Sequence, residues 1–580
     1  MYNNSMTEQM KWIKRPYDAN KEAALISQGK NRLLARIFAQ RKVDIDSIDI
    51  FISSEYKDIS NPYSLYGIKD AAQLFVDTIK SNGNISTIGD FDADGIVSSV
   101  MIKELCNVFN VNCYSFLPSR LEHGYGLNEK SVKAFIDRQK NKIDLLIILD
   151  CGINSKKEIE ELKKYANKIM IIDHHIIDKD RYSSNADVVV SWHLGSTCEM
   201  CTCGEVYQFI RAIHMLNKNI NPIEFLTFSS IGTIADCSPI VGDNRIIVKN
   251  GLTSYAINHV RSSGLLALMK QAKIDVPSLT ESDVAFKIGP RINAVGRLGE
   301  ADIVFSLLTE RDTEIATKIA EHVVGFNDER KKIQKDIENE AVSCVDFDKS
   351  KFTHGIFLKS KNWHVGVVGI VASRITEEFN KPAIVVGFSN ELGTWKGSGR
   401  TCNGINLKEV LDTCPEIFSS YGGHAGAVGV TLKEDCLNKA AEVFNEACKK
   451  YCEKNNINTE SYKYYDAKLS AKLITETTAD MIHDNLYPYC EENNSEPVFL
   501  LPDVTIVDPS IKDGGTWRLL SFYVQKDIKV EYPFKMFSPK FNAEEIDGKR
   551  ADIYFQFPQK QEIQGKFYKF ELMCVDIVLK

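Results

Sequence analysis

The sequence predicts an α/β chain: a parallel-sheet domain joined by a long helix to a second α/β unit, then a β-rich segment. Three observations carry that expectation. Short continuous apolar runs at residues 85–88, 145–149 and 169–172 alternate with helix-patterned stretches, as strands covered on both faces do. Every one of these runs ends in residues of ligand type: Asp90, Asp92 and Asp94, then Asp150, then Asp173, His174 and His175. Beyond residue 455 helical spacing gives way to strand-like alternation.

The 580 residues, 44% hydrophobic and 26% charged, have the composition of a globular chain with three or four domains at about 100–200 residues each. A net charge of −7 gives no global basic field, although a basic groove can sit on an acidic protein. No apolar run reaches the roughly 18 residues of a membrane span, and residues 1–15 lack the apolar core of a secretory signal. The 15 cysteines are scattered, so reduced thiols in the cytoplasm are expected.

In chain order, residues 21–40 read as a helix with Leu25, Leu33, Leu34, Ile37 and Phe38 on one face, and 65–80 as a second. Helices are expected at 96–109, 129–138 and 156–165, and an extended run at 113–117. Residues 228–235 are read as one more strand-like run, ending at Asp236. After residue 301 helical spacing dominates, with a long charged helix over 316–342. The expected division is a helical extension at 1–45, a first domain at 46–310, a connecting helix at 311–350, a second α/β domain at 351–452 and a β-rich domain at 453–580.

In open α/β sheets ligands bind beyond the carboxyl ends of the strands, so these acidic ends are expected to meet in one crevice. Alternate residues of an extended chain share a side, which lets Asp90, Asp92 and Asp94 converge. Three carboxylates together repel unless a cation lies between them. The blander alternative is an acidic loop capping a helix. Mixed carboxylate and imidazole donors suit manganese or magnesium better than structural zinc. Two such cations bridged by a carboxylate can activate water against a phosphate, so a metal-dependent phosphoesterase is expected.

Asp-His-His at 173–175, with Asp-Phe-Asp-Ala-Asp-Gly at 90–95, resembles the DHH phosphoesterase superfamily. Further stretches resemble its RecJ branch of single-strand-specific exonucleases: residues 118–126, 231–239, Gly242-Asp-Asn-Arg245, 289–299, 363–371, 397–400 and 422–429. The resemblance runs from about residue 20 to 450. It implies two divalent cations, Mn2+ or Mg2+, held by Asp92, Asp94, Asp150, His174 and Asp236, with Asp150 bridging. Pyrophosphatase-like members carry a histidine where this chain has Ile88, and Asp90 is expected to take its place. His175 would contact the scissile phosphate, and Arg291 and Arg297 would stabilise charge on the phosphoryl oxygens. Arg120, Ser398 and Arg400 would hold a terminal 5′-phosphate, with Asn293, His364 and His424 also contacting substrate.

The same resemblance implies 5′-to-3′ degradation of single-stranded DNA to mononucleotides, in recombination and repair, by a monomer supplied by a helicase and a single-strand-binding protein. The alternatives are a DHH phosphodiesterase acting on short RNA or cyclic dinucleotides, and an inactive replication scaffold. An oligonucleotide-binding barrel of five strands is expected at the C-terminus. Within it, residues 526–541 interleave lysines with Tyr532, Phe534, Phe537 and Phe541, as either a base-stacking surface or core aromatics. Tyr487-Pro-Tyr-Cys-Glu-Glu-Asn-Asn494 replaces a glycine-rich turn usual before that unit. His193 and the stretch from Cys198 through Cys201 to Cys203 have metal-like spacing, but a zinc site needs its fourth ligand in reach, and the cysteines are read as adventitious.

Overall fold

Five parallel strands form the first sheet, in the spatial order Cys113–Phe116, Ile85–Gly89, Ile143–Leu149, Ala166–Ile172, Val188–Val190. In chain order that is 2-1-3-4-5, which reverses direction between the first and third strands. A ligand crevice opens at such a switch point. The computed structural model describes residues 11–580 except 42, 121, 125, 140, 197, 299, 348, 391–392, 458–459, 461, 491–493, 515–517, 526–531, 559–561, 564–565 and 568–569. The expectations for residues 526–531, Trp517 and residues 491–493 lie outside the described residues.

The stretch before Asp236 is a helix, Ile223–Ala235, and not a strand. Phe225 to Ile234 are buried on every side of it, so the residues carry no amphipathic period. An all-round apolar helix and a buried strand look alike in sequence. The N-terminal helix is also two, Ala19–Ser27 and Arg32–Ala39, broken at Gly29 (φ 82°) and restarted by Asn31, whose side chain accepts from Leu33 N–H.

The connecting helix is longer than expected, Thr313–Phe347, 35 residues or about 52 Å. Ala316, Ala320 and Val323 near its start belong to the core of the first lobe. Ile337, Ala341 and Val345 near its end belong to a core of the second lobe. The second sheet runs Phe418–Gly423, Ala427–Leu432, Thr394–Arg400, Ala383–Ser389, Ile356–Ser360, with only the last two strands parallel.

At the C-terminus, Phe499–Asp513, Arg518–Gln525, Phe534–Phe537, Leu572–Leu579 and Arg550–Gln556 pair in that order. The first then pairs with the last, closing a five-stranded barrel. Phe534 is core, stacked on Phe522 at 5.5 Å, whereas Phe537 is 58% exposed. Phe534 therefore takes the core role, and Phe537 lies on the surface.

The N-terminal segment joins this barrel. Leu25, Leu34, Phe38 and Phe51 share one core with Leu501, Phe522 and Phe555, and Lys11–Lys14 pairs in parallel with Tyr462–Tyr465. Buried Asp466 fixes the junction, accepting from Arg15 Nε at 3.0 Å and Arg41 Nη1 at 2.8 Å.

Arg245 ties this body to the first lobe. It is fully buried, and its guanidinium donates to the carbonyls of Phe51 (2.7 Å), Leu486 (3.1 Å), Tyr487 (2.6 Å) and Pro488 (2.9 Å). Removing it takes a donor from each of four carbonyls: Phe51 O keeps Ser54 Oγ, and Leu486 O and Pro488 O keep Asn494 Nδ2, but Tyr487 O loses its guanidinium partner. Arg245→Met is predicted to cost about 3 kcal/mol or more of stability in urea unfolding; a change below about 1 kcal/mol would show the clamp to be incidental.

A candidate two-cation centre facing an anion pocket

Strand register brings the acidic residues level. Gly89 pairs with Leu149, Leu149 with Ile172, and Ile172 with Val190, so Asp90, Asp150 and Asp173 leave the sheet side by side. Asp150 turns out of its strand at φ 60°, a left-handed conformation that short polar side chains tolerate. Asp92 caps the helix Ala93–Val108, accepting from the N–H groups of Asp94 (3.2 Å) and Gly95 (3.3 Å). The capping and cation-binding readings of this triplet thus meet in one residue.

The three aspartates do not converge on a single point. Because the helix starts at Ala93, Asp94 is rotated away from Asp90 and Asp92, and two N–H groups at another helix terminus hold it. Its two oxygens accept from Thr202 N–H and Cys203 N–H, each at 2.8 Å. One group of potential ligand atoms is therefore Asp90, Asp92 and Asp150; a second is Asp150, His174 and His175; a third is Asp94, Asp236 and Cys201. His174 Nε2 joins them, 3.4 Å from Asp150, 3.9 Å from Asp94 and 3.8 Å from Asp236. Asp150 sits between the two halves, and Thr202 Oγ1 donates to it at 3.0 Å.

The electrostatics fit cations. Burial, then the neighbouring Asp92 charge, pushes Asp90 up to about 8. Its carboxylate is 1% exposed, and no side chain donates to either oxygen. Burial and Asp94 raise Asp150 well above the carboxylate range, and the same two causes bring Asp236 to about 7. Against burial, Asp236 and Asp94 hold His174 up at about 9. Carboxylates this crowded keep protons or take metal ions, and oxygen donors with one imidazole suit Mn2+ or Mg2+. His175 enters this balance by lowering Asp90 and Asp150, and its Nδ1 is 2.7 Å from Asp173 Oδ1, which holds it up at about 10 despite burial.

Opposite lies a cationic pocket. Burial, then Arg120 and Arg400, pulls Arg297 down to about 9, and burial with Arg120 also lowers Arg400. Arg120 stacks over Phe91 of the acidic loop at 5.3 Å. Ser398 and Arg400 lie two apart on Thr394–Arg400, at the start of the helix Val368–Phe379. A Cβ on Gly369 would sit 3.2 Å from Ser398 Oγ and 3.5 Å from Arg400 Nη2. Clustered guanidiniums beside a helix N-terminus make an anion site. His364 adjoins it in the Gly366 loop, where a Cβ would lie 2.4 Å from the Arg297 carbonyl. His424 is exposed on a loop of the second lobe, and burial followed by the charges of His175 and His174 lowers its pKa.

Arg291 is not brought to this pocket. Six residues from Arg297, it points about 240° around the same helix, donates to Lys287 O at 2.7 Å, and has Asp328 as its charged neighbour. Asn293 and Arg297, one turn apart, share the face toward the acidic loop. Asn293 Oδ1 accepts from Ala93 N–H at 2.8 Å, so the side chain fixes that loop. Gly296 allows the approach, since a Cβ there would lie 2.2 Å from Phe91 O. Thr202 was not singled out from the sequence, although its helix-start position was the available signal, whereas Cys201, read there as adventitious, lies within ligand distance of Asp94 and Asp236. Cys198 and Cys203 do not join Cys201 in its ligand group.

Comparison with known proteins agrees with this geometry. Residues 84–233 match the model of the DHH family, N-terminal domain, and residues 350–450 that of the DHHA1 domain. The chain is 32% identical over 444 residues to the single-stranded-DNA-specific exonuclease RecJ of Bacillus subtilis, covering 76% of this chain and 55% of that protein. It is 29% identical over 448 residues to RecJ of Haemophilus influenzae, covering 73% and 76%. Thus it spans about half the length of the first relative and three quarters of the second. The crystal structure of RecJ in complex with Mn2+ from Thermus thermophilus superposes with a TM-score of 0.77 at 22% identity, over 99% of this chain and 80% of that one.

Two predictions follow from the geometry. Because Asp90 and Asp236 keep protons up to about 8 and about 7, Mn2+ must displace protons at lower pH. Its affinity is predicted to fall as pH drops from 8.5 to 6, by about tenfold per unit for each competing proton. Calorimetry in buffers of different ionisation enthalpy reads those protons, and pH-independent binding would contradict the assignment. Gly296→Ala is predicted to push its helix off the acidic loop and weaken Mn2+ binding roughly tenfold, whereas wild-type affinity would show that the close contact does not position the site.

Proposed function

We propose that the chain belongs to the DHH family, on its RecJ branch, and that it is a single-strand-specific DNA exonuclease. It hydrolyses phosphodiesters from the 5′ end and releases 5′-mononucleotides, acting in recombination and repair. The observation that carries this reading is the pair of ligand groups sharing Asp150, set opposite the Arg120, Arg297 and Arg400 pocket.

Asp90, Asp92 and Asp150 would hold one cation, and Asp94, His174, Asp236 and Asp150 the other. Bound there, two Mn2+ or Mg2+ ions supply an acidified water and a clamp on the phosphate oxygens. Asp173 fixes the His175 ring, so that the protonated imidazole donates from its far nitrogen to the scissile phosphate. Arg297 offsets charge that grows on the phosphoryl group. Asn293 holds the Ala93 amide and with it the position of Asp92. Arg120, Ser398 and Arg400 take the terminal 5′-phosphate, which fixes the cut one nucleotide in, and His364 and His424 line the approach.

A cavity of about 800 Å³ supports a path for the remaining strand. It starts at Ser238, Asn293 and Arg297 and ends against the barrel segment at Tyr489 and Val498. No helix among the described residues is long and apolar enough to cross a membrane. We place the enzyme in the cytoplasm as a monomer, with strands supplied by a helicase and a single-strand-binding protein.

Single-stranded DNA labelled at either end, incubated with Mn2+ and then with EDTA, tests the proposal. Mononucleotides released first from the 5′ end, only with metal, are expected; turnover of short RNA or cyclic dinucleotides in place of DNA would replace the substrate. Asp150→Ala is predicted to lower kcat by roughly 1000-fold or more with the fold intact. Arg400→Ala is predicted to erase the preference for a 5′-phosphorylated end, and an unchanged preference would reject that pocket.

A further inference from the structure

Cys201 occupies a helix N-cap and does not cap the helix. It precedes Thr202–Leu216 with φ −75° and ψ 172°, and its side chain makes no capping hydrogen bond, although that position favours Ser, Thr, Asp or Asn. The buried thiol turns instead toward the neighbouring helix, 3.6 Å from Thr233 Oγ1 and one turn before Asp236. There Sγ and an oxygen of each of Asp94 and Asp236 lie within 4.8 Å of one another. His174 Nε2 is 3.9 Å and 3.8 Å from the same two carboxylates. Two carboxylates and a thiol thus surround one point, with the His174 imidazole against the same two carboxylates. An independent sign that a cation belongs beside it is Asp90, buried, with no side chain donating to its oxygens.

We propose that Cys201 is a latent ligand that turns this half of the centre into a trap for thiophilic cations such as Zn2+ and Cd2+. The inference rests on the two-cation reading above and adds a selectivity to it. Hard Mn2+ and Mg2+ are satisfied by oxygen and have little use for sulfur, whereas Zn2+ and Cd2+ favour thiolate. On binding, the S–H bond breaks, the proton passes to buffer and an S–metal bond forms, with no change of oxidation state. Cys201 would then join Asp94 and Asp236 on the ion, with His174 beside them, and its thiolate would take a position that hydrolysis needs for water. The Asp90, Asp92 and Asp150 half contains no sulfur. Cys203 is the internal control: its Sγ lies 3.2 Å from Ser98 Oγ and 3.4 Å from the Asp94 carbonyl, outside the ligand group.

The test titrates Cd2+ into the full chain and follows sulfur-to-metal charge-transfer absorption in the near ultraviolet. Wild type, Cys201→Ser, Cys201→Ala and Cys203→Ser are compared, with Mn2+ binding to the same samples read by electron paramagnetic resonance. Wild type and Cys203→Ser are expected to develop the band at the first equivalents, and both Cys201 variants to lack it. Cd2+ affinity should fall at least ~10-fold in the Cys201 variants while Mn2+ affinity changes less than ~3-fold. A band that persists in the Cys201 variants, or is absent from wild type that still binds Mn2+, would overturn the trap. Failure of wild type to bind Mn2+ would instead overturn the two-cation centre on which it rests.

Discussion

Mutual repulsion among buried carboxylates governs this molecule. Asp90, Asp94 and Asp150 are almost wholly buried, with Asp92 and Asp236 beside them. Left as anions without counter-charge, they would cost the fold several kcal/mol each. The chain offsets only part of that with its own groups: helix-terminal N–H donors on Asp94, the Thr202 hydroxyl on Asp150, and the imidazole of His174 among three of them. Protons or cations supply the rest. Even the left-handed backbone at Asp150 fits this account, because it swings the shared carboxylate between two ligand groups.

An opposite imbalance stands across the cleft. Burial, then Arg120 and Arg400, depresses Arg297, and burial with Arg120 depresses Arg400, so guanidinium charge is crowded on this wall. An excess of acid on one wall and of guanidinium on the other suits a phosphate that bridges both. Their separation depends on rigid parts. The 35-residue helix packs its two ends into different lobes, and the Gly366 loop of the second lobe rests on the backbone of Arg297 in the first.

Much of this was legible in the sequence, for definite reasons. A parallel strand buried on both faces is a bare apolar run, so the acids after residues 88, 149 and 172 stood out by contrast. Asp236 was found by its apolar approach even though that approach is a helix. Other features leave no local trace. Packing of the N-terminal helices into the C-terminal barrel depends on contacts more than 400 residues apart. The split of Asp94 from Asp90 and Asp92 depends on where one helix starts and on N–H groups a hundred residues away. The separation of Arg291 from Arg297 needed the helix phase, and Cys201, noticed for its spacing, was set aside as adventitious because its neighbourhood to Asp94 and Asp236 is made only by the fold.

Electron paramagnetic resonance of the Mn2+-loaded chain tests the shared carboxylate most directly. Two ions bridged by Asp150 would lie roughly 3.5–4 Å apart and give the spectrum of a spin-coupled pair, collapsing to isolated Mn2+ when Asp150 is replaced by Ala. Two uncoupled ions in the wild type, or coupling that survives loss of Asp150, would contradict the account.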